Sequence, residues 1–567
     1  MAARSQAGME ARPTRTARAS TALRYAAVFL GLFGMSVALQ FAAGAYVDEF
    51  SGHPDEPAHY VTGLMVRDYI AAGFPPHPFK FAEEFYLHYP KMAMGHWPPL
   101  FYILQAAWML IFSESHASVI ALMAALAAAL AFTVYIVLRN EYGWKAGLAA
   151  AAALLALPLV QQFDGMVMTE IPVALFCLWA CLFFGRYLET ASWRDAAGFG
   201  AMASLAIMTK GSALALALAP PVALALSRRW KLLKRPATWL AAAIVGLLCG
   251  PWYLLTLRMA ENGWTSKFSA GFVMEAALFN TGRMITMVGP PLAALAVLGA
   301  HAKARLGGMW SALAALIASV WVFQSLVPAS IDERHLLTAA PALVILAAAG
   351  IEWLARRLPL QFPYKSGALA AVAGLLFAAT SFTVPRASDR ALGPVAALLT
   401  RPDLRNDVIL VSSQYDGEGI VIAQMAEHEQ RPGHIILRAS KVLAESTWEG
   451  THYKTLYRTP AEVLKFLDSV PVGVIVLDNT PGLKDHPHHR QLQEVIRENP
   501  ARFRLLGSFP LDGRPRIPGE QVLVYQVLDN QGKPAGKIRI DMKYMLNRSI
   551  SDLSVRPGPA ANNHRNA

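Results

Sequence analysis

The sequence predicts a polytopic α-helical membrane protein carrying a soluble α/β domain at its C-terminal end. Three observations carry that prediction. Of 567 residues 54% are hydrophobic and 16% charged, too apolar for an ordinary soluble chain. Apolar runs of roughly 18–22 residues recur up to about residue 384, each long enough to cross a hydrocarbon layer. From 385 onward the composition turns ordinary, and short apolar runs alternate with helical patterns.

Residues 1–24 hold Arg4, Arg12, Arg15, Arg18 and Arg24 against one acid, Glu10, and read as a disordered basic cytoplasmic tail. The apolar run 25–45 is then a first span leading outward. A cleaved signal peptide is the alternative, because AAGAY (42–46) resembles a small-residue cleavage site, but the run is long for one. The first outer loop, 46–97, carries seven acids and three bases. The segment 98–113 behind Pro98 and Pro99 would reach only about 24 Å as a helix. It is therefore expected to lie in the outer interface.

Further spans are expected near 117–138, 145–163, 171–188, 196–210, 212–227, 237–257, 284–300, 309–328, 336–354 and 366–384. With these the inner loops hold fourteen bases, including those of RRWKLLKR (228–235), and the outer loops five. A crossing at 98–113 would reverse the totals, so the positive-inside rule selects the interfacial reading. The expectation is about eleven spans in a bacterial inner membrane. The N-terminus would be cytoplasmic, and the soluble domain periplasmic. The net charge of +12 follows topology rather than forming a patch, so no nucleic-acid partner is expected.

The soluble domain, 390–545, reads as strands at 408–413, 434–440, 473–479, 503–509 and 521–528 with helices at 419–429, 461–470 and 488–499. It has no glycine-rich phosphate loop. The motif HPHH (486–489) reads as exposed loop histidines rather than a metal site, and 546–567 as a disordered tail. Cys177, Cys181 and Cys249 all lie in apolar runs, which excludes a disulfide framework in the soluble part.

The chemistry gathers around HPDEPAHY (53–60). Asp55 and Glu56 stand at the start of a helix opened by Pro57, where free N–H groups favour ionised carboxylates. That helix reads as amphipathic, with Val61, Leu64, Met65 and Tyr69 opposite Thr62, Gly63, Arg67 and Asp68. On the expected topology the outer ends of the spans also hold Asp164, Glu170, Lys210, Arg283, Asp332, Glu333, Arg334 and His335. Taken singly, these are a solvated loop acid, a dipole-favoured acid, a snorkelling lysine or a locally paired arginine. Polar groups collected near membrane depth point to function. Acids facing fixed cations suit a phosphorylated lipid bearing a sugar. The cations hold the phosphate, and a carboxylate deprotonates a hydroxyl acceptor.

Five motifs in this order give a resemblance: PDE with Tyr60, HWPPLFY (96–102), TEIP (169–172), TKG (209–211) and ERHLLTAAPAL (333–343). The stretch 25–355 resembles the GT-C superfamily of membrane glycosyltransferases, in the branch holding protein O-mannosyltransferases and lipid A aminoarabinose transferases. The resemblance implies a polyprenyl-phosphate-linked sugar donor and outward-facing chemistry. It implies Asp55 as the catalytic base with Glu56 beside it, and Glu170 as the second acidic site of the catalytic set, which helps orient the acceptor or the first acid. It places Lys210, Arg283 and Arg334 near the donor phosphate, with Tyr60, His96, Asp164 and His335 as further substrate-binding positions. Trp97 separates His96 from Pro98 where the family more often has HPPL or KPPL. Glu170 stands where an aspartate is common, and Asp164 is its rival.

The expected function is an inverting glycosyltransferase moving a sugar from a polyprenyl phosphate to a hydroxyl of an envelope glycan, lipid or protein. A transporter or flippase for a lipid-linked sugar is the alternative. It would want ionisable residues at mid-span and repeat symmetry, neither of which is visible. A third reading makes the soluble domain a partner-binding module on an anchor, but eleven spans exceed what an anchor needs. No cofactor is required by these residues, and a divalent cation beside the acids is left open.

Overall fold

The computed structural model describes residues 15–47, 50, 52–92, 95–261, 267–359, 363–387, 392–445, 453–480, 486–511, 520–531, 533, 538–542 and 548–553. α1 (Arg15–Ala43) leads into a loop carrying α2 (Glu56–Ala71), α3 (Pro78–His88) and α4 (Leu100–Ile111). α1 starts inside the segment expected to be a tail, and residues 1–14 lie outside the described part. The helical bundle continues through α5 (His116–Tyr142), α6 (Trp144–Leu155), α7 (Pro158–Asp164), α8 (Glu170–Thr190) and α9 (Trp193–Thr209). Beyond it come α10 (Ala219–Ser227), α11 (Pro236–Glu261), α12 (Ala270–Val288), α13 (Pro290–Lys303), α14 (Gly308–Leu326), α15 (Ala340–Arg357) and α16 (Lys365–Thr380).

Among the described residues six helical stretches are long and apolar enough to cross a membrane, or eight if each of two bent pairs is one crossing. The straight spans expected at 145–163 and 284–300 are corrected here. α6 and α7 bend by 68° at Pro158, and α12 and α13 bend by 105° at Gly289–Pro290. Proline removes a backbone donor and Gly289 holds φ +80°, so hydropathy continues where the helix does not. The expected spans 196–210 and 212–227 are divided by Lys210, whose extended backbone ends α9 before the 3-10 turn Gly211–Ala217. α13 and α15 cross at Gly299 and Gly350. A Cβ on either would stand 1.9 Å from the carbonyl oxygen of Leu346 or Leu295, so backbone meets backbone there.

Beyond α17 (Gly393–Leu399) the chain alternates strand and helix. It runs β1 (Val408–Ser412), α18 (Tyr415–His428), β2 (Ile436–Arg438), α19 (Ala439–Val442), β3 (Ala444–Glu445), β4 (Lys454–Thr455), α20 (Pro460–Ser469) and β5 (Val472–Asp478). Then follow α21 (Pro487–Glu498), β6 (Phe503–Pro510), β7 (Gln521–Val527), β8 (Ile538–Met542) and β9 (Arg548–Leu553). Five strands form one sheet in the order β2-β1-β5-β7-β6, with β2, β1 and β5 parallel and β7 and β6 antiparallel. VILVS and VGVIVLD are buried at every position, as strands covered on both faces must be.

Two expectations change here. β9 pairs with β8, so an ordered hairpin reaches into the segment expected to be disordered from 546. In HPHH, His486 is exposed but His488 and His489 are buried. His489 Nδ1 lies 2.8 Å from Ser412 Oγ and His488 Nδ1 2.7 Å from the Tyr453 hydroxyl, tying the start of α21 to the end of β1 and to the segment before β4.

The two parts are clamped. α18 packs on α2. Arg431 donates to Asp68 Oδ2 at 2.6 Å and to Glu114 Oε2 at 2.7 Å. The Tyr89 hydroxyl donates to Glu429 at 2.7 Å, and the Glu427 carboxylate accepts from the His116 backbone at 2.7 Å. With α4 and α18 covering it, the first half of α2 is buried all round, Thr62 and Gly63 included, rather than amphipathic.

Candidate active site

Asp55 is the N-cap residue of α2, but its side chain makes no capping bond. The carboxylate turns to Arg334, whose Nη1 donates to Oδ2 at 2.8 Å. Arg334 lies on the 3-10 turn Glu333–Ala339 ahead of α15. The Asp332 carboxylate caps that turn, accepting from the Arg334 backbone at 3.0 Å and lying 3.0 Å from its Nε. That Nε also stands 4.0 Å from Glu170 Oε1. Glu170 opens α8 and accepts from the Lys210 ammonium. Four charges from four distant parts of the chain thus form one line, Asp55–Arg334–Glu170–Lys210. Their side chains are 17%, 14%, 2% and 12% exposed, and two negative charges balance two positive ones.

Histidines surround the line. His53 Nδ1 accepts from the Asp55 backbone at 3.1 Å, and its Nε2 faces Arg334 Nη1 at 3.1 Å. The buried His59 ring packs on Trp97 at 4.1 Å between centroids, with Nδ1 3.0 Å from the Tyr102 hydroxyl. Burial pushes His59 down to about 3, against the pull of Asp55, so the ring is neutral at pH 7. Burial lowers His53 and His96 as well, each again opposed by Asp55. For Asp55, burial alone would raise the pKa. The Arg334 guanidinium, with His53 and His59 behind it, more than reverses this and holds the carboxyl well below the usual range.

Residues 96–255 match a family model described as dolichyl-phosphate-mannose-protein mannosyltransferase. No curated protein sequence matches. The structure is similar to ArnT from Cupriavidus metallidurans in the apo state, at 14% identity and a TM-score of 0.58, over 90% of this chain and 99% of that one. Similarity to the same protein bound to undecaprenyl phosphate gives 14% and 0.54, over 88% and 99%. The Archaeoglobus fulgidus oligosaccharyltransferase in the apo form matches at 14% and 0.50, over 80% of this chain and 69% of that one. This chain has the GT-C membrane glycosyltransferase fold.

Within the GT-C fold the expected site residues separate into two sets. Asp55, Glu170, Lys210 and Arg334 come together. His335, on the same 3-10 turn as Arg334, has Lys210, Arg334 and Glu170 as its electrostatic neighbours, and His96 has Asp55. The His335 Nδ1 is buried without a partner. The other set lies elsewhere. Glu56 turns away from Asp55: its Oε1 accepts from the Val167 backbone at 2.9 Å and stands 3.4 Å from His116 Nε2. Asp164 accepts from Ser36 Oγ at 2.5 Å and Gln40 Nε2 at 3.1 Å, and so fastens α7 to α1. Tyr60 donates to the Glu114 carbonyl at 2.6 Å and faces Glu427 and Arg431 of the soluble domain. Arg283, half-exposed, pairs with Glu333 at 3.3 Å.

The geometry adds two residues to those expected, His53 and His59. A signal for both was present in HPDEPAH: His53 sits two positions before Asp55, and His59 one helical turn after it. Among the described residues no three His, Cys, Asp or Glu side chains are grouped to hold a metal ion. Asp55 faces Arg334, and Glu170 faces Lys210.

Proposed function

We propose that this protein is an inverting glycosyltransferase that moves a sugar from a polyprenyl-phosphate donor to a hydroxyl of an envelope glycan, lipid or protein, at the outer face of a bacterial inner membrane. The single observation that carries this reading is the line Asp55–Arg334–Glu170–Lys210, two carboxylates and two cations held at the ends of apolar helices. The similarity to ArnT, solved with undecaprenyl phosphate bound, supports a lipid-phosphate donor. The charge asymmetry of the loops supports the outer face.

The chemistry is one displacement. The acceptor oxygen bonds to the anomeric carbon as the bond from that carbon to the phosphate oxygen breaks. The acceptor proton passes to Asp55, and polyprenyl phosphate leaves as an anion. Asp55 stays ionised at neutral pH, so it is ready to orient the hydroxyl and take the proton as the oxygen turns acidic in the transition state. Arg334 and Lys210 hold the departing phosphate, and Glu170 keeps both cations in place. His96 and His335, neutral donors beside the acids, bind sugar or phosphate oxygens. The direct displacement inverts the anomeric centre.

The test is Asp55→Asn in the purified full chain with a polyprenyl-phosphate sugar and acceptor extract. Loss of acceptor-dependent polyprenyl phosphate release by about 1000-fold is expected. Unchanged turnover would remove Asp55 from the reaction.

A further inference from the structure

A cavity of about 580 Å³ opens between α8, α9, α10, α11 and the 3-10 turn Trp230–Lys234. Its wall is apolar, with Phe184, Phe199, Ile207, Leu224 and Val245 among the lining residues. Trp230 and Trp239 also line it and are 51% and 61% exposed, so they stand at its mouth. The mouth is built rather than loose. The Tyr187 and Thr238 hydroxyls meet at 2.6 Å, Thr238 Oγ1 donates to the Leu232 carbonyl at 2.5 Å, and Trp239 Nε1 donates to the Leu233 carbonyl at 3.0 Å.

The inner wall of this cavity reaches Ile207 and Leu214, three and four positions from Lys210, but its mouth lies far from the charged line. Phe184 stands fourteen positions beyond Glu170 on α8, about 21 Å along the helix. The mouth therefore opens in the opposite leaflet. There Trp230 sits inside RRWKLLKR, and Arg228, Lys231, Lys234 and Arg235 are all exposed. Arg229 bonds the Leu188 carbonyl, and the nearby Asp195 pairs with Arg186. None of the four exposed cations is within ion-pair distance of a carboxylate among the described residues.

We infer that this cavity binds an anionic phospholipid of the leaflet opposite the charged line. One acyl chain fills the cavity, the phosphate meets the four cations, and the two tryptophans lie at headgroup level. An apolar void of this size facing hydrocarbon gains contacts when a chain enters it. Basic residues beside such a pocket attract anionic headgroups. The tail of a polyprenyl lipid is the competing occupant, but a neutral tail makes no contact with the four cations at the mouth, which a phosphate headgroup would. Binding here does not depend on sugar transfer.

The test uses the full chain purified in detergent and given mixed micelles of phosphatidylglycerol or phosphatidylcholine with the same acyl chains. Retained lipids are counted by native mass spectrometry. Phosphatidylglycerol should be retained at least about tenfold better. The variant R228Q/K231Q/K234Q/R235Q should lose that preference. Gly246→Phe should lower lipid retention, because Gly246 lines the cavity and a Cβ there meets nothing within 4 Å, leaving room for a ring where the chain would lie. Equal retention of the two lipids, or retention unmoved by either variant, would overturn the inference. So would displacement of bound phospholipid by undecaprenyl phosphate in the wild-type chain. The four-Gln variant alters only exposed side chains, so it remains decisive if Gly246→Phe fails to fold.

Discussion

Arg334 and Asp55 are 279 residues apart in sequence, and the guanidinium donates to the carboxylate at 2.8 Å. The same guanidinium reaches toward Glu170, so one planar cation joins the first loop to the start of α8. A lysine offers a single point charge and cannot serve both carboxylates. Arg334→Lys should therefore lower kcat by about 100-fold while the chain folds and is purified normally. The check is single-turnover release of polyprenyl phosphate beside a melting curve.

Glu170 is the partner that lets Lys210 stay charged while buried. Glu170→Gln should destabilise the chain by about 3 kcal/mol, since it leaves an ammonium without a counter-charge. Adding Lys210→Met should restore most of the melting temperature but not the activity. If the double variant melts as low as the single one, the two residues are not coupled.

Arg431 fastens the soluble domain to Asp68 and Glu114, and Arg67 also touches both acids. Arg431→Met should cost roughly 1–3 kcal/mol, because Arg67 retains part of the pairing. Amide exchange should rise in α18 and in the first half of α2 together. A rise in α18 alone would mean that the clamp does not transmit.

Acid sensitivity is set by buried neutral histidines. Burial pushes His488 and His489 down to about 4, opposed by Glu418 and Asp478 respectively. The unfolded chain takes up these protons below about pH 6.5, while the folded chain waits until about 4. Stability is therefore lost as pH falls from about 6.5 to 4. Asp55 works at lower pH: its depressed pKa contributes stability that persists until the pH falls through the folded value, below this window. Melting temperature against pH should show the slope, and H488N/H489N should flatten it.

Much of this was legible in the residues. Asp55, Glu170, Lys210 and Arg334 each sit where an apolar run begins or ends, beside proline, glycine or a turn, and topology alone sends them to one side. The strands of the soluble domain were legible because continuous apolar runs bounded by polar turns leave few alternatives. What the sequence hid depends on distant partners. Glu56 reads as a second site acid until the Val167 backbone takes its carboxylate. Asp164 reads the same way until Ser36 and Gln40 claim it. Tyr60 and Arg283 belong to neighbours that no spacing reveals. The bends at Pro158 and Gly289 were hidden because hydropathy sums composition and ignores direction.

Glu427 of the soluble domain grips the His116 backbone, the His116 ring meets Glu56, and Glu56 grips Val167, three residues before Glu170. A chimera that replaced residues 390–545 with a foreign counterpart would break the first of these contacts. Recombination should preserve the host reaction only when the start of α5 and the whole of α2 travel with the graft.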